Sequence, residues 1–374
     1  MIENPFPITG YDKPENFCNR EKETQRLISA LENRRNVTLH SNRKVGKTGL
    51  IQHSFYFLSK KRNTATIYFD ILGTSNLSDF VKEFAAAVIG TLDSKAVKLM
   101  QKAGSLITAL RPKISFDALT GEPEITIDVS GNRQAEHTLE EIFKYLKERS
   151  ANTKIIIAID EFQQVMDYPE KNTEALLRSK IQFLTNVSFI FSGSRKHLLI
   201  EMFADARRPF YQSTDMFELN KINPEIYSEF IKAHFKKGGK KISDADIAYI
   251  LEWTRNVTFY VQSVCNRLFY MPEKIITRTV INESLYAILK EREASFFNYR
   301  SLLATQQWNL LVAVAKEDGV KEPSGSDFIQ RHKLGANSSV RTALKALIEK
   351  ELIVKEDDKF HVYDVFFSRW LERL

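Results

Sequence analysis

Cysteine is nearly absent: two residues in 374, Cys18 and Cys265, far apart in the chain and in no metal-ligand spacing. That excludes a disulfide framework and a thiolate metal site, and it suits a reducing compartment where both thiols are inert packing residues. No apolar run approaches the roughly 20 residues that span a bilayer, so no transmembrane helix is expected. The opening residues Met1 to Pro7 show neither a basic leader nor an apolar core, and the expectation is a cytoplasmic protein. Charge of one sign is also scarce, since 54 basic residues stand against 47 acidic ones. A net charge of +7 permits contact with nucleic acid without requiring it.

At roughly 150 residues per domain, the length calls for two or three units. Glu21 to Asn33 has helical apolar spacing at Leu27, Ile28 and Leu31, and Val37 to His40 reads as a short strand. After Ser41 to Thr48, one helical face carries Leu50, Ile51, Phe55 and Leu58. Thr64 to Ile71 reads as a strand, Leu77 to Leu92 as a helix, and Lys154 to Ile159 as a buried strand; Val187 to Ser192 and Met216 to Leu219 supply two more. The alternation predicts an α/β fold, a parallel sheet with helices on both faces, over 1–222. Lys113 to Val129, alternating around Thr120-Gly121-Glu122-Pro123, predicts an inserted hairpin at about 112–130.

Past Pro224 helical patterns dominate, predicting an all-helical unit over 223–297. Over 298–374, two amphipathic helices precede short strands at Leu352 to Lys355 and Lys359 to Tyr363. That order predicts a winged helix-turn-helix.

The chemistry starts at Ser41-Asn42-Arg43-Lys44-Val45-Gly46-Lys47-Thr48, which matches the phosphate-binding P-loop except that serine replaces the first glycine. Gly46 lets the backbone approach phosphate, and the N–H groups of the loop through Gly49 form an anion nest at a helix N-terminus. Lys47 is placed to reach the β- and γ-phosphates, and Thr48 to put its hydroxyl on Mg²⁺. Ser41 is expected to weaken the loop, because the first glycine serves a tight turn and serine is strained at positive φ. The apolar run ending in Asp160-Glu161 delivers two carboxylates to the sheet's carboxyl edge: Asp160 for Mg²⁺, Glu161 as base for the attacking water. The next strand brings Ser194, or alternatively Ser192, to the same edge as a γ-phosphate sensor. Together these residues predict a nucleotide-binding, Mg²⁺-dependent hydrolase, with Glu161, Lys47 and Ser194 catalytic.

Asn4-Pro5-Phe6, the stretch from Phe17 through Arg20 to Glu23, the phosphate loop, Ile159-Asp160-Glu161, Gly193-Ser194, Val362-Tyr363-Asp364 and Trp370-Leu371 together resemble the archaeal-type ATPases. These are AAA+-like proteins also found in bacteria, related to replication initiators and STAND signalling ATPases; Ser41 is similar to a bacterial branch. The resemblance covers nearly the whole chain and implies a nucleotide domain, a helical lid and a winged helix. It further implies ATP rather than GTP, and Arg20 beside the adenine. The chain departs from the family at Pro209-Phe210-Tyr211-Gln212-Ser213, where no arginine follows; Arg207 or Arg208 is either a substitute finger or a solvated turn. It departs again at Thr254 to Thr258, in place of a Gly-Gly-x-Pro turn, with Arg255 as an alternative phosphate contact.

Asn337, Ser338, Arg341, Thr342 and Lys345 suit a DNA-reading helix, whereas the wing tip Glu356-Asp357-Asp358 opposes phosphates. The partner is accordingly DNA or protein. The output is a nucleotide-controlled switch with slow hydrolysis, an ATP-gated DNA regulator, or a scaffold forming ATP-dependent homo-oligomers in signalling or defence.

Overall fold

The computed structural model describes residues 3–92, 113–116, 123–126 and 131–374. They form two compact units, one from Thr9 to Lys221 and the other from Ile222 to the C-terminus together with the first residues through Ile8.

The first unit is built on five strands: β1 (Val37–His40), β2 (Thr64–Asp70), β5 (Lys154–Asp160), β6 (Val187–Gly193) and β7 (Asp215–Glu218). They pair in parallel in the order β2-β5-β6-β1-β7. β1 and β6 are buried at every position, and β5 at all but its first. Their continuous β-branched and aromatic runs follow from this, since both faces are covered. Alternate side chains face opposite layers. Ile155, Ile157 and Ile159 join Phe189 and Phe191 against α3 (Leu77–Leu92) and the helices Asn132–Arg149, Thr173–Ile181 and Lys196–Ala204. Ile156, Ala158 and Ile190 face α1 (Glu21–Glu32) and α2 (Lys47–Leu58) on the other side. Each fully buried side chain of this kind contributes about 1.5–3 kcal/mol. The expected α/β architecture with helices on both faces is present. At the sheet's edge, the Arg26 guanidinium lies 4.3 Å over the Phe217 ring and donates to the Met216 carbonyl, occupying part of the exposed edge of β7.

The hairpin is present as β3 (Lys113–Phe116) paired antiparallel with β4 (Pro123–Thr126). Its expected turn at Thr120 to Glu122 and the residues Ile127 and Val129 lie outside the described residues.

The second unit contains the helices Pro224–Lys237, Asp244–Trp253, Thr258–Tyr270 and Arg278–Leu302. It is not purely helical: the two-residue strands β8 (Lys241–Ile242) and β9 (Ile275–Ile276) pair in parallel. Two residues carry no readable alternation, which is why the sequence pattern misses them. The helix Arg278–Leu302 runs for 25 residues through the expected boundary at 297 and 298. Helices Thr305–Lys316, Ser326–Arg331 and Asn337–Glu349 follow, then β10 (Ile353–Glu356) and β11 (Lys359–Val362), which pair antiparallel, then Val365–Leu371. This is the expected helix-turn-helix with a wing. Phe6 is 1% exposed among Phe230, His234, Phe235 and Phe269; the Asn4 side chain donates to the Asn266 carbonyl, and the Asn266 side chain donates to the Phe6 carbonyl. Among the described residues no helix is long and apolar enough to cross a membrane.

Candidate functional site

In the strand order, β6 lies between β5 and β1. The acidic pair ending β5 and the loop following β1 are therefore brought to one edge with Ser192, Gly193 and Ser194 between them. Topology alone makes the two serines neighbours of both motifs.

The loop turns through Lys44 (φ 66°) and Gly46 (φ 107°), and only the latter is free of a Cβ penalty. Val45 is buried in the core with Leu27 and Leu50, anchoring the loop, while Asn42, Arg43 and Lys44 are half-buried. Gly49, in the first turn of α2, faces Phe17, whose ring would stand 3.2 Å from an added Cβ. Ser41 is not at positive φ, which corrects the expectation that it strains the turn. Its hydroxyl donates to the Asn42 carbonyl at 2.7 Å and receives the Lys47 ammonium at 3.5 Å. Lys47 itself is 7% exposed. Burial pushes its ammonium below the usual lysine range, against the opposing pull of Glu161 and Asp160.

Asp160 is 3% exposed and accepts four hydrogen bonds. Thr48 Oγ1 and the Tyr68 hydroxyl donate to Oδ2 at 2.9 and 2.7 Å, and Ser192 Oγ and the Glu161 N–H donate to Oδ1 at 2.7 and 3.0 Å. Tyr68 was not singled out by the sequence. It lies on β2, in register with Ala158 two residues before Asp160, so only the adjacency of β2 and β5 reveals it. Burial, followed by the Asp160 charge, pushes the Tyr68 phenol upward, so it stays protonated and able to donate.

Glu161 has left-handed backbone, φ 55° and ψ 38°, a conformation that costs a non-glycine residue about 1 kcal/mol. That strain directs it toward β6. Its Oε2 accepts from the Ser194 hydroxyl at 2.8 Å, the Ser194 N–H at 3.3 Å and the Gln163 amide. Gln163, also unforeseen, is 1% exposed and crowds Gly193, where an added Cβ would sit 1.9 Å from Oε1. Arg43 closes the arrangement, its Nε donating to Ser194 Oγ at 3.0 Å.

Arg20, expected beside the adenine, is buried at φ 79° and braces the loop, donating to the Val45 carbonyl at 3.3 Å and pairing with Glu23 at 3.0 Å. Of the candidate fingers, Arg207 is a solvated turn residue paired with Asp205, and Arg208 pairs with Glu174 at 2.5 Å. Arg255 belongs to the second unit. There it pairs with Asp318 at 2.6 Å and donates to the Val362 carbonyl and Ser368 Oγ at 2.9 and 2.7 Å.

Comparison with known proteins bears on the fold and the family. A structure of a Walker-type ATPase from Pyrococcus abyssi superposes with a TM-score of 0.69 at 18% identity, covering 99% of this chain and 100% of that one. The Aeropyrum pernix ORC2 protein, in ADPNP–ADP complexes, superposes at 0.58 with 12% identity over 99% of this chain and 96% of that chain. The Aeropyrum pernix ORC1 protein in complex with DNA gives 0.54 at 13% identity, covering 96% and 94%. These likenesses show the fold. No curated protein matches. A probable winged helix domain model matches residues 294–373. Residues 17–261 match the model of an ATPase domain found predominantly in Archaea, and the chain belongs to that family of ATP-binding, ATP-hydrolysing enzymes.

Proposed function

We propose that the protein is a slow, Mg²⁺-dependent ATPase acting as a nucleotide-controlled switch, with its site at Ser41 to Gly49, Asp160, Glu161 and Ser194. The observation that carries this reading is the convergence of Thr48 and Ser192 on the two oxygens of Asp160. Residues from three sequence segments thereby form one oxygen-lined locus beside the buried Lys47.

Among the described residues no three His, Cys, Asp or Glu side chains form a self-sufficient metal cage. Mg²⁺ rarely uses one, because it retains waters and takes one or two carboxylates plus substrate phosphates. The hard oxygens of Thr48 and Asp160, 2.9 Å apart, fit that habit; they would hold the ion, which would supply positive charge against the charge developing on the phosphate oxygens. Lys47, already desolvated, gains a strong partner when the β- and γ-phosphates arrive. Glu161 takes a proton from the attacking water as the water oxygen bonds to the γ-phosphorus and the bond to the ADP oxygen breaks. Hydrogen bonds from Ser194 and Gln163 to its Oε2 draw on the carboxylate's charge and weaken it as a base. That damping, with Arg207 and Arg208 paired locally, supports slow turnover.

The reading is tested by ATP turnover and binding in Lys47→Ala and Glu161→Gln. Both should lose hydrolysis, and Glu161→Gln should still bind ATP. Wild-type turnover in both would remove the assigned site.

For the winged helix we favour a protein partner over duplex DNA. Arg341, Thr342 and Lys345 are exposed on the helix Asn337–Glu349, yet Lys345 faces Glu349 at 3.9 Å, and the wing tip carries exposed Asp357 and Asp358. Those acids would repel a phosphate backbone. Duplex affinity that falls steeply with salt and with Lys345→Glu would reverse this preference.

A further inference from the structure

The phosphate loop carries a second cation beside Lys47. Arg43 lies close enough that, after burial and the two carboxylates, its charge is among the influences on the Lys47 ammonium. Its Nε donates to Ser194 Oγ at 3.0 Å, and that hydroxyl donates onward to Glu161 Oε2 at 2.8 Å. Arg43, Ser194 and Glu161 thus form a continuous chain from the loop to the carboxylate assigned as the base. A hydrogen bond from a guanidinium polarises the hydroxyl that accepts it and strengthens that hydroxyl as a donor.

We infer that Arg43 is a positioning residue that reads the γ-phosphate: without it Arg43 tightens Ser194 on Glu161, and with it Arg43 turns to the phosphate and relaxes that hold. The inference rests on the ATPase reading of the same site. Its physical basis is competition for one planar fork. A phosphate dianion offers two oxygens in the geometry a guanidinium matches, against the single neutral hydroxyl of Ser194. Lys47 cannot serve this role. It is a compact cation without the fork, and its ammonium donates to Ser41 Oγ at 3.5 Å. A β-phosphate would be held by the backbone nest of the loop, so ADP should leave the chain from Arg43 to Glu161 intact.

The experiment measures binding of ADP and of a non-hydrolysable ATP analogue to the full chain, with ATP turnover, for wild type, Arg43→Ala, Arg43→Lys, Ser194→Ala and Arg43→Ala/Ser194→Ala. Arg43→Ala should lose about tenfold or more in analogue affinity, the order expected for one charge-assisted contact, while ADP affinity changes less than about twofold. Arg43→Lys, which keeps the charge without the fork, should fall between, and also covers the case in which Arg43→Ala fails to fold. Because the two residues act in one chain, the double variant should turn over ATP no more slowly than the slower single variant. Equal loss of ADP and analogue binding would make Arg43 a general electropositive loop residue and overturn the inference. Strictly multiplicative effects on kcat would overturn it too. If wild type itself fails to hydrolyse ATP, the ATPase reading fails instead.

Discussion

Thr48 and Asp160, 112 residues apart in sequence, share a hydrogen bond of 2.9 Å across the carboxyl edge of the sheet. This contact joins the loop to the acidic strand. Thr48→Ala should raise the Mg²⁺ concentration for half-maximal turnover about 10- to 100-fold, as loss of a supporting ligand group does. Tyr68→Phe removes the other donor on the same oxygen and should cost about 1.5–3 kcal/mol in a denaturant melt, the range for a hydrogen bond to a charged group.

The loop's tolerance should differ sharply between its two ends. Ala at Gly46 must adopt φ 107°, so Gly46→Ala should lose about 1–2 kcal/mol and most ATP binding. Ser41→Gly, by contrast, should bring no gain in ATP affinity, because Ser41 is not in the left-handed region. Titrating both variants with ATP separates a strained position from an unstrained one.

Gly193→Ala places a methyl group on the Gln163 amide and against Leu199 Cδ1, 3.0 Å away. The amide end of Gln163 can rotate aside, leaving Glu161 with Ser194 alone. Turnover should therefore change more than stability does, and a fall in melting temperature with unchanged kcat would contradict this.

His40 is buried with Nδ1 unpartnered, and burial holds its pKa below the ordinary 6.5. The unfolded chain thus binds a proton near pH 6.5 that the folded chain refuses. Stability should fall as pH drops below about 6.5 and level off below the folded pKa. His40→Gln should flatten that slope in melts between pH 7.5 and 5, on about the scale of a single titrating group.

Asp318 feels burial, which raises its pKa, but Arg255 and Arg369 outweigh it, and the carboxyl stays below the usual aspartate range. Its contribution is present above pH 4 and lost as pH falls through the lowered value. Arg255→Ala should destabilise the C-terminal unit by about 1.5–3 kcal/mol while leaving ATP affinity unchanged. Lost affinity would reinstate Arg255 as a phosphate contact.

The parts legible in the sequence were those encoded locally. Ile155 to Ile159 reads as a buried strand because five consecutive apolar residues need cover on both faces, and the helix at Leu77 begins where its periodicity does. The phosphate loop was legible from residue types alone. Tyr68 and Gln163 were not, because their meaning depends on which strands are neighbours and on the backbone turn at Glu161. The supposed weakness of Ser41 came from a rule about glycine rather than from the dihedral this loop adopts.

The ties of Arg255 reach 107 and 113 residues forward, to Val362 and Ser368, and Asn4 is tied to Asn266 across 262 residues. During synthesis, Thr9 to Lys221 can collapse on its own sheet while the second unit still lacks its partners. Arg255 then emerges without its carboxylate partner until Asp318 follows, and without its two neutral acceptors until the wing and final helix do. Such distant closures slow folding and prolong the exposure of Phe6 and its aromatic neighbours. The chain is therefore expected to mature in two kinetic phases, the nucleotide-binding half first.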